Sequence, residues 1–323
     1  MYNLEELQKL VNTYIGKEKF DKQPKLLYEP IKYTLESGGK RIRPALVLLA
    51  CNIFTGNIDA AIKPAIGLEI FHNFTLLHDD IMDNADLRRN KPTVHNKWNH
   101  NTAILSGDAM FIKAYDYFLN SNFNNFREVL KVFNRTAIEV CEGQQYDMDF
   151  ESRNDVTEEE YLEMIRLKTS VLIAAALKIG ALIGGADTPN ANLLYEFGVN
   201  IGLGFQLQDD LLDTFGDEKV FGKKIGGDII AKKKTYLLIK ALEIADSKTK
   251  MDIEDLLELK YDDKKKIADV KVIYNKLDIR RLTKEKISDY YLIATQALSE
   301  ATISDEAKNE LIKFAEKLIN RDK

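Results

Sequence analysis

Hydrophobic residues recur three and four positions apart through most of the chain, which is the spacing of amphipathic helices. Clear examples are residues 44–54, 65–77, 171–182 and 310–319. No segment shows a convincing alternation of apolar and polar residues, and only 17 glycines and 6 prolines interrupt the 323 residues. The pattern therefore predicts helices of about 10–25 residues joined by short loops, and so an all-α fold.

Polar and capping residues mark where these helices begin and end. Thr157 and Glu160 have the spacing of a capping box and predict a helix that runs through Lys168. Polar residues at 84–90 and 120–126 predict loops, whereas the charged segment 246–269 predicts a solvated helical region. Because no shift in composition divides the chain, we expect one domain of many helices over residues 1–323.

Composition narrows the class of protein. The net charge of −5, with 30% charged residues of both signs, does not indicate a nucleic-acid-binding protein. No stretch approaches the roughly 18 apolar residues of a membrane span, and the polar residues 1–20 do not resemble a signal peptide. Cys51 and Cys141 lack the spacing of metal or redox sites and are expected to be buried free thiols. These features predict a cytoplasmic protein without a membrane span.

Two acidic motifs of the same form stand far apart in the chain. Residues 79–83 are Asp-Asp-Ile-Met-Asp and residues 209–213 are Asp-Asp-Leu-Leu-Asp, each after a strongly apolar stretch. On a helix, aspartates four residues apart share one face and repel each other. A single copy is more typical of a solvated helix end, but two copies in apolar surroundings favour a site that binds cations.

The donor chemistry of these motifs selects the cation. Carboxylate oxygens suit hard ions, and Mg²⁺ fits best because it takes few carboxylates and binds phosphate oxygens with its remaining positions. Neither an EF-hand Ca²⁺ loop nor a Zn²⁺ site with Cys or His ligands has matching spacing here. The two motifs therefore predict facing carboxylate walls whose Mg²⁺ ions clamp a diphosphate.

Basic residues cluster around the acidic motifs. Lys40 and Arg43 follow a glycine pair and are predicted to share a helix face, three residues apart. Further basic side chains follow a motif or close the capped helix: Arg88, Arg89, Lys168, Lys223 and Lys233. Any one of them is more typical of an ordinary surface, but together they match the cations that a diphosphate needs.

His72 lies seven residues before Asp79, within about 20° of the same helix face. A lone histidine on an apolar helix is usually a satisfied core residue, yet this position favours contact with a phosphate. His78, His95 and His100 lack that support. No dinucleotide-binding, P-loop, nucleophile-elbow or zinc-protease motif competes with the acidic motifs.

These motifs resemble those of the trans-isoprenyl diphosphate synthases, also called polyprenyl synthetases. The resemblance runs from about residue 28 to residue 323. It rests on residues 38–44, residues 78–83 with Arg88 and Arg89, Gly143 with Gln144, Lys168 with Thr169, and residues 205–213. It implies an all-α, single-domain bundle of many helices around a deep central cavity, a homodimer, and three Mg²⁺ ions when diphosphate is bound.

The resemblance also implies roles for individual residues. The expected metal ligands are Asp79, Asp83 and Asp209, supported by Asp80, Asp210 and Asp213. The expected contacts of the allylic diphosphate are Arg88, Lys168, Lys223 and Lys233, and those of isopentenyl diphosphate are Lys40, Arg43, His72 and Arg89. The expected lining of the allylic site is Gln144, Asp147, Thr169 and Gln206. The residues expected to act in catalysis are Asp79, Asp80, Asp83, Arg88, Lys168, Asp209 and Lys223.

The implied reaction is an Mg²⁺-dependent, head-to-tail condensation of isopentenyl diphosphate with an allylic diphosphate. It needs no protein nucleophile, because ionisation gives an allylic carbocation that the alkene attacks. In this family an aromatic residue at the position of Phe74 forms a floor for short chains, although the ring could also be core packing. The small Thr75 beside it favours a twenty-carbon product, geranylgeranyl diphosphate, over the fifteen-carbon farnesyl diphosphate.

Two other classes of protein share part of this pattern. A class I terpene cyclase would carry the first acidic motif but usually a different second metal motif. A non-catalytic partner subunit of another synthase would typically lose one acidic motif. Because both motifs are intact, the sequence favours a catalytic prenyl synthase.

Overall fold

The computed structural model describes residues 1–216, 225–258 and 262–319. Most of these residues lie in helices, which confirms the predicted all-α fold class. Within these ranges the only strands are Leu87–Arg88 and Lys91–Pro92, paired antiparallel as β1 and β2. The apolar pattern did not predict this hairpin, because strands of two residues show no alternation.

The helices follow one another with short connections. Up to residue 119 they are α1 Leu4–Ile15, α2 Lys25–Glu36, α3 Ile42–Phe54, α4 Asp59–Met82, α5 Val94–Lys97 and α6 His100–Leu119. They continue as α7 Phe126–Glu151, α8 Glu158–Ile165, α9 Val171–Ile183, α10 Thr188–Phe215, α11 Gly227–Ile230, α12 Tyr236–Ile244, α13 Ser247–Glu258, α14 Asp263–Lys276, α15 Ile279–Glu300 and α16 Asp305–Ile319. The four apolar segments predicted to be helical lie in α3, α4, α9 and α16, as predicted.

A capping box starts α8. Thr157 Oγ1 accepts a hydrogen bond from the Glu160 N–H at 3.2 Å, and the Glu160 carboxylate accepts one from the Thr157 N–H at 3.0 Å, which confirms the predicted box. These bonds satisfy N–H groups that the first helical turn leaves without partners. The α-helix ends at Ile165, however, and Lys168 lies in a π-helical turn, Arg166–Ser170, that leads into α9.

The chain divides into two compact units. Unit 1 comprises Met1–Asn134, Ala175–Leu194 and Thr302–Glu310. Unit 2 comprises the described residues of Arg135–Ala174, Tyr195–Ala301 and 311–319. The expectation of one domain over residues 1–323 stays a prediction.

Unit 1 is organised around α4, which packs mainly against α6. Residues 64–71 of α4 are all buried. The two helices approach closely at Gly67, where an added Cβ would lie 2.9 Å from the carbonyl oxygen of Ala114. On α6, Phe118 stacks on Phe133 with ring centroids 4.4 Å apart. This dense packing fixes the middle of α4, which carries the first acidic motif at its C-terminal end.

Unit 2 has a core of its own, to which α8, α10, α12, α14 and α15 contribute. Representative buried side chains are Tyr161, Leu207, Leu237, Tyr274 and Ile287. Because α10 is buried in this core, its C-terminal turns hold the second acidic motif in a defined place.

Two expectations about the whole chain have different outcomes. Cys51 is buried, but Cys141 is exposed, so the expectation of a buried thiol was wrong for Cys141. That residue shares an exposed face of α7 with Ile138 and Gln145. None of the described helices is long and apolar enough to cross a membrane.

Candidate active site

The first acidic motif ends α4, with Arg88 of β1 against it. Asp80 is buried, and Arg88 donates to its Oδ1 from Nη2 at 2.6 Å and from Nε at 2.8 Å. Asp79 is half-buried, with its Oδ2 3.6 Å from Arg88 Nη2, and Asp83 is exposed one turn further on. Burial raises the pKa of Asp80 and Asp79 adds to the rise, while Arg88 opposes it. The structure thus brings Arg88 to this motif, as predicted.

A tight turn directs Arg88 and Arg89 to different partners. Arg89 and Asn90 form the turn between β1 and β2, with positive φ angles of 53° and 60°. Arg88 contacts the acidic motif, whereas Arg89 donates to the carbonyl oxygen of Gly38. Gly39 must be glycine here, because its φ is 130° and an added Cβ would lie 2.8 Å from Arg89 Nη2.

The basic segment after this glycine pair corrects one prediction. Lys40 and Arg43 do not share a helix face, because α3 begins only at Ile42. Gly38, Gly39 and Arg41 all have positive φ angles, which break the helical path before that point. Lys40 is exposed, whereas Arg43 lies beside α4.

His72 and Arg43 are in direct contact. Arg43 Nη1 lies 3.2 Å from His72 Nε2, so the arginine donates and the imidazole accepts. Burial lowers the pKa of His72 well below its ordinary value, and the positive charge of Arg43 lowers it further. The structure therefore brings two of the predicted phosphate contacts together and keeps the imidazole neutral.

A pocket in unit 1 lies beside these residues. Its lining comes from α2, α4, the hairpin and the start of α5: Tyr33, Thr34, Ser37, Asn73, Leu76, Leu77, Asp80, Arg88, Arg89, Pro92, Thr93 and Val94. Both hairpin arginines and one aspartate of the motif border the same space.

Phe74 lies in an aromatic cluster on α4 and α6. Its ring centroid is 4.8 Å from that of His78, 5.2 Å from Phe111 and 5.6 Å from Phe71. The neighbouring Thr75 is half-buried, and its hydroxyl donates to the carbonyl oxygen of His72 at 2.8 Å. Phe74 therefore stands on the helix that leads to the first motif, between other rings.

The second acidic motif is built around a buried Asp210. The Tyr161 hydroxyl donates to Asp210 Oδ2, and Gln206 Nε2 donates to Oδ1 at 3.1 Å. Burial raises the pKa of Asp210 to about 8, and the charge of Asp228 adds to the rise. Asp209 and Asp213 are half-buried on either side of it in the helix.

Tyr161 and Asp228 are site residues that the sequence analysis missed. The Asp228 N–H donates to Asp213 Oδ2 at 3.0 Å, and the Gly226 N–H donates to the Asp213 carbonyl oxygen at 2.6 Å. A Gly-Gly-Asp sequence shortly after the motif was the available signal for Asp228. Tyr161 gave no local signal, because its partner lies 49 residues further on.

Lys168 and Thr169 lie in the π-helical turn, beside other predicted residues. Lys168 Nζ lies 2.6 Å from Asp147 Oδ2, and Thr169 Oγ1 donates to Gln206 Oε1 at 3.2 Å. Since Gln206 also donates to Asp210, a chain of polar contacts leads from Thr169 to the second motif. Gln144 is half-buried on α7.

Two predicted lysines have different outcomes. Lys223 lies outside the described residues. Lys233 is exposed, and its backbone N–H donates to the Asp228 carbonyl oxygen at 2.9 Å, so it lies just after α11, the short helix that carries that aspartate.

The chemistry of both motifs suits Mg²⁺, since they offer carboxylate oxygens alone. In unit 2 the charges of Asp209 and Asp228 raise the pKa of Asp210, and a bound cation would relieve that repulsion. Among the described residues no three His, Cys, Asp or Glu side chains converge on one point.

Comparison with known proteins identifies the family. The model of the polyprenyl synthetase family matches residues 24–277, so the chain belongs to this family. The stretch includes both acidic motifs and every basic residue considered above.

Individual relatives agree with this assignment. The chain is 48% identical to a geranylgeranyl diphosphate synthase of Methanosarcina mazei over 224 residues, covering 68% of this chain and 69% of the relative. It is 37% identical to a short chain isoprenyl diphosphate synthase of Methanothermobacter thermautotrophicus over 99% of this chain and 98% of the relative. A crystal structure of a geranylgeranyl pyrophosphate synthase matches with a TM-score of 0.94 and 44% identity, covering 99% of both chains.

Proposed function

We propose that this protein is a short-chain prenyltransferase that condenses isopentenyl diphosphate head-to-tail with allylic diphosphates to give geranylgeranyl diphosphate. The observation that carries the proposal is that both acidic motifs are intact and that Arg88 forms an ion pair with Asp80 of the first motif. The chain also belongs to the polyprenyl synthetase family. Relatives named for a twenty-carbon product support that chain length over the fifteen-carbon alternative.

The first step breaks the bond between the allylic carbon and the diphosphate oxygen. Asp79, Asp83 and Asp209 would hold Mg²⁺, which supplies positive charge to the leaving diphosphate. Arg88 and Lys168 are proposed to donate hydrogen bonds to the diphosphate, so that positive charge offsets the negative charge that develops on ionisation. Lys223 and Lys233 are proposed to bind the diphosphate of the allylic substrate as well.

The second step forms the new carbon–carbon bond. The alkene of isopentenyl diphosphate attacks the allylic cation and forms a new cation, which loses one proton to the diphosphate that was released in the first step. Arg43 and Arg89, with Lys40, are proposed to bind its diphosphate, while neutral His72 offers an imidazole N–H. Gln144, Thr169 and Gln206 are proposed to line the allylic site.

We also propose that the protein acts as a homodimer. Support comes from α6, where Leu105, Ile112 and Leu119 recur every seven residues and are 61%, 65% and 59% exposed. Apolar side chains at this spacing form one stripe along a helix, and a stripe left in water favours burial against a partner. Light scattering should give a dimer mass for the wild type and a monomer mass for a Leu105→Glu/Ile112→Glu variant.

The cytoplasmic location of the protein stays a prediction.

The reaction is tested with purified protein and Mg²⁺. Dimethylallyl, geranyl and farnesyl diphosphates are each incubated with isopentenyl diphosphate, and the dephosphorylated products are separated by chromatography. We expect geranylgeraniol from all three primers. Farnesol as the final product would establish the fifteen-carbon alternative, and a hydrocarbon from farnesyl diphosphate alone would indicate a cyclase. No product from any pair would refute the proposed function.

A further inference from the structure

A buried ion pair joins two segments of unit 1 that carry proposed contacts of isopentenyl diphosphate. Glu69, 2% exposed, lies among the apolar residues of α4, and Arg41, 4% exposed, directly precedes α3. Arg41 Nη1 lies 2.6 Å from Glu69 Oε1. Glu69 lies outside the sequence motifs, and Arg41, although it lies within residues 38–44, is not among the expected substrate contacts. The reaction proposed above uses neither residue.

Each of the three nitrogens of the Arg41 guanidinium donates a hydrogen bond to protein. Besides Glu69, it donates to the carbonyl oxygen of Leu35 through Nη2 and to Asn12 Oδ1 through Nε at 3.2 Å. Glu69 Oε1 in turn accepts from Asn73 Nδ2 at 3.0 Å. The Arg41 side chain thus connects α1, the end of α2 and the middle of α4. Because its nitrogens already donate to these acceptors, the guanidinium has little capacity left to bind a phosphate.

The backbone of Arg41 is held in the left-handed region, with φ 49° and ψ 36°. A residue other than glycine adopts this conformation at a cost that the surrounding structure must offset. The inward side chain, with its three acceptors, supplies that compensation. Because the chain turns here, Lys40 is exposed on one side of Arg41, and α3 begins at Ile42 on the other.

The ion pair lies one helical turn from the contact between Arg43 and His72. Glu69 and His72 lie three residues apart on α4 and so on neighbouring positions of one helix face. Arg41 on Glu69 and Arg43 on His72 are therefore two parallel contacts between the same pair of segments. Removing the first would free the segment that presents the second.

We infer that Arg41 and Glu69 are positioning residues that orient Lys40, Arg43 and His72 toward the diphosphate of isopentenyl diphosphate. The inference rests on the proposed function, since it assumes that these three side chains bind that substrate. Stability alone gives no reason for the pair, because a buried ion pair replaced by well-packed apolar residues is often neutral or stabilising.

The test compares Arg41→Met/Glu69→Leu with the wild type. The apolar pair keeps most of the buried volume and leaves no unpaired charge. The KM of isopentenyl diphosphate should rise about tenfold, while kcat and the KM of the allylic substrate should change by less than about twofold. Titration calorimetry with isopentenyl diphosphate should show the same rise in Kd. As a matched control, Lys113→Met/Asp116→Leu removes a half-buried ion pair of α6 and should leave both constants unchanged.

Two outcomes would overturn the inference: an unchanged Kd and KM for isopentenyl diphosphate, or an equal loss for both substrates and kcat, which would mean a general structural role. If the double variant does not fold, Arg41→Lys decides by the same criteria, since lysine keeps the charge but cannot serve three acceptors in a fork. A wild type without turnover would instead refute the proposed function. The two failures are therefore distinguishable.

Discussion

Phe74 of α4 and Phe111 of α6 lie ring against ring, with centroids 5.2 Å apart and planes inclined by 32°. His78 packs edge-on to Phe74 from the next turn of α4. It can approach α6 because residue 107 is glycine, and an added Cβ there would collide with the imidazole. Its Nε2 also lies 3.2 Å from the Ile104 carbonyl oxygen. Rings on several sides therefore hold Phe74 in place.

Because neighbouring rings hold Phe74 in place, we expect its ring to block growth of the prenyl chain. Phe74→Ala should therefore lengthen the product by one or more five-carbon units. Phe111→Ala should shift the product in the same direction but less, because it only loosens the Phe74 ring. Chromatography of the dephosphorylated products measures both changes. Phe118→Leu serves as the control, since Phe118 packs on Phe133 and not on Phe74. If Phe74→Ala gives a product of unchanged chain length, Phe74 contributes only to core packing and does not limit the product.

Local features of this site could be predicted from the sequence, and features set by distant contacts could not. The capping box of Thr157 and the helical spacing of the first acidic motif depend on residues three or four apart. The left-handed backbone of Arg41 occurs together with a side-chain contact to Glu69, 28 residues away, and the helix that was predicted to include Lys40 begins only at Ile42. Tyr161 was missed for the same reason.

Tyr161→Phe removes the hydroxyl that holds Asp210 and keeps the ring in the core. A buried carboxylate that loses a donor costs about 1–3 kcal/mol of stability. We expect the Mg²⁺ concentration for half-maximal turnover to rise several-fold, because Asp210 would no longer be oriented beside Asp209. Stabilisation by Mg²⁺ with diphosphate, measured as a shift in Tm, should fall in parallel. Tyr236→Phe, a second buried tyrosine of unit 2, is the control. Equal Mg²⁺ requirements in both variants would contradict the assigned role of Tyr161.

Gly143→Ala should disturb Lys168 through the backbone. An added Cβ would collide with the Lys168 backbone nitrogen and lie 2.8 Å from the carbonyl carbon of Leu167. Overpacking of this kind typically costs about 1–3 kcal/mol, so Tm should fall, and kcat should fall with the displaced lysine. Gly56→Ala is the matched control, because nothing lies within 4 Å of its added Cβ. A variant with wild-type Tm and kcat would show that α7 and the π-helical turn can separate without cost.

The stability of the protein should depend on pH through His72. Burial, and then Arg43, hold the pKa of this imidazole well below its ordinary value of about 6.5. As pH falls below about 6.5, unfolded chains bind a proton at this residue and the folded protein does not. Its contribution to stability is therefore present above that pH and lost below it, by up to about 1.4 kcal/mol per pH unit. Urea unfolding should show a shallower acid slope for His72→Gln than for the wild type, and identical slopes would mean that His72 titrates normally when folded.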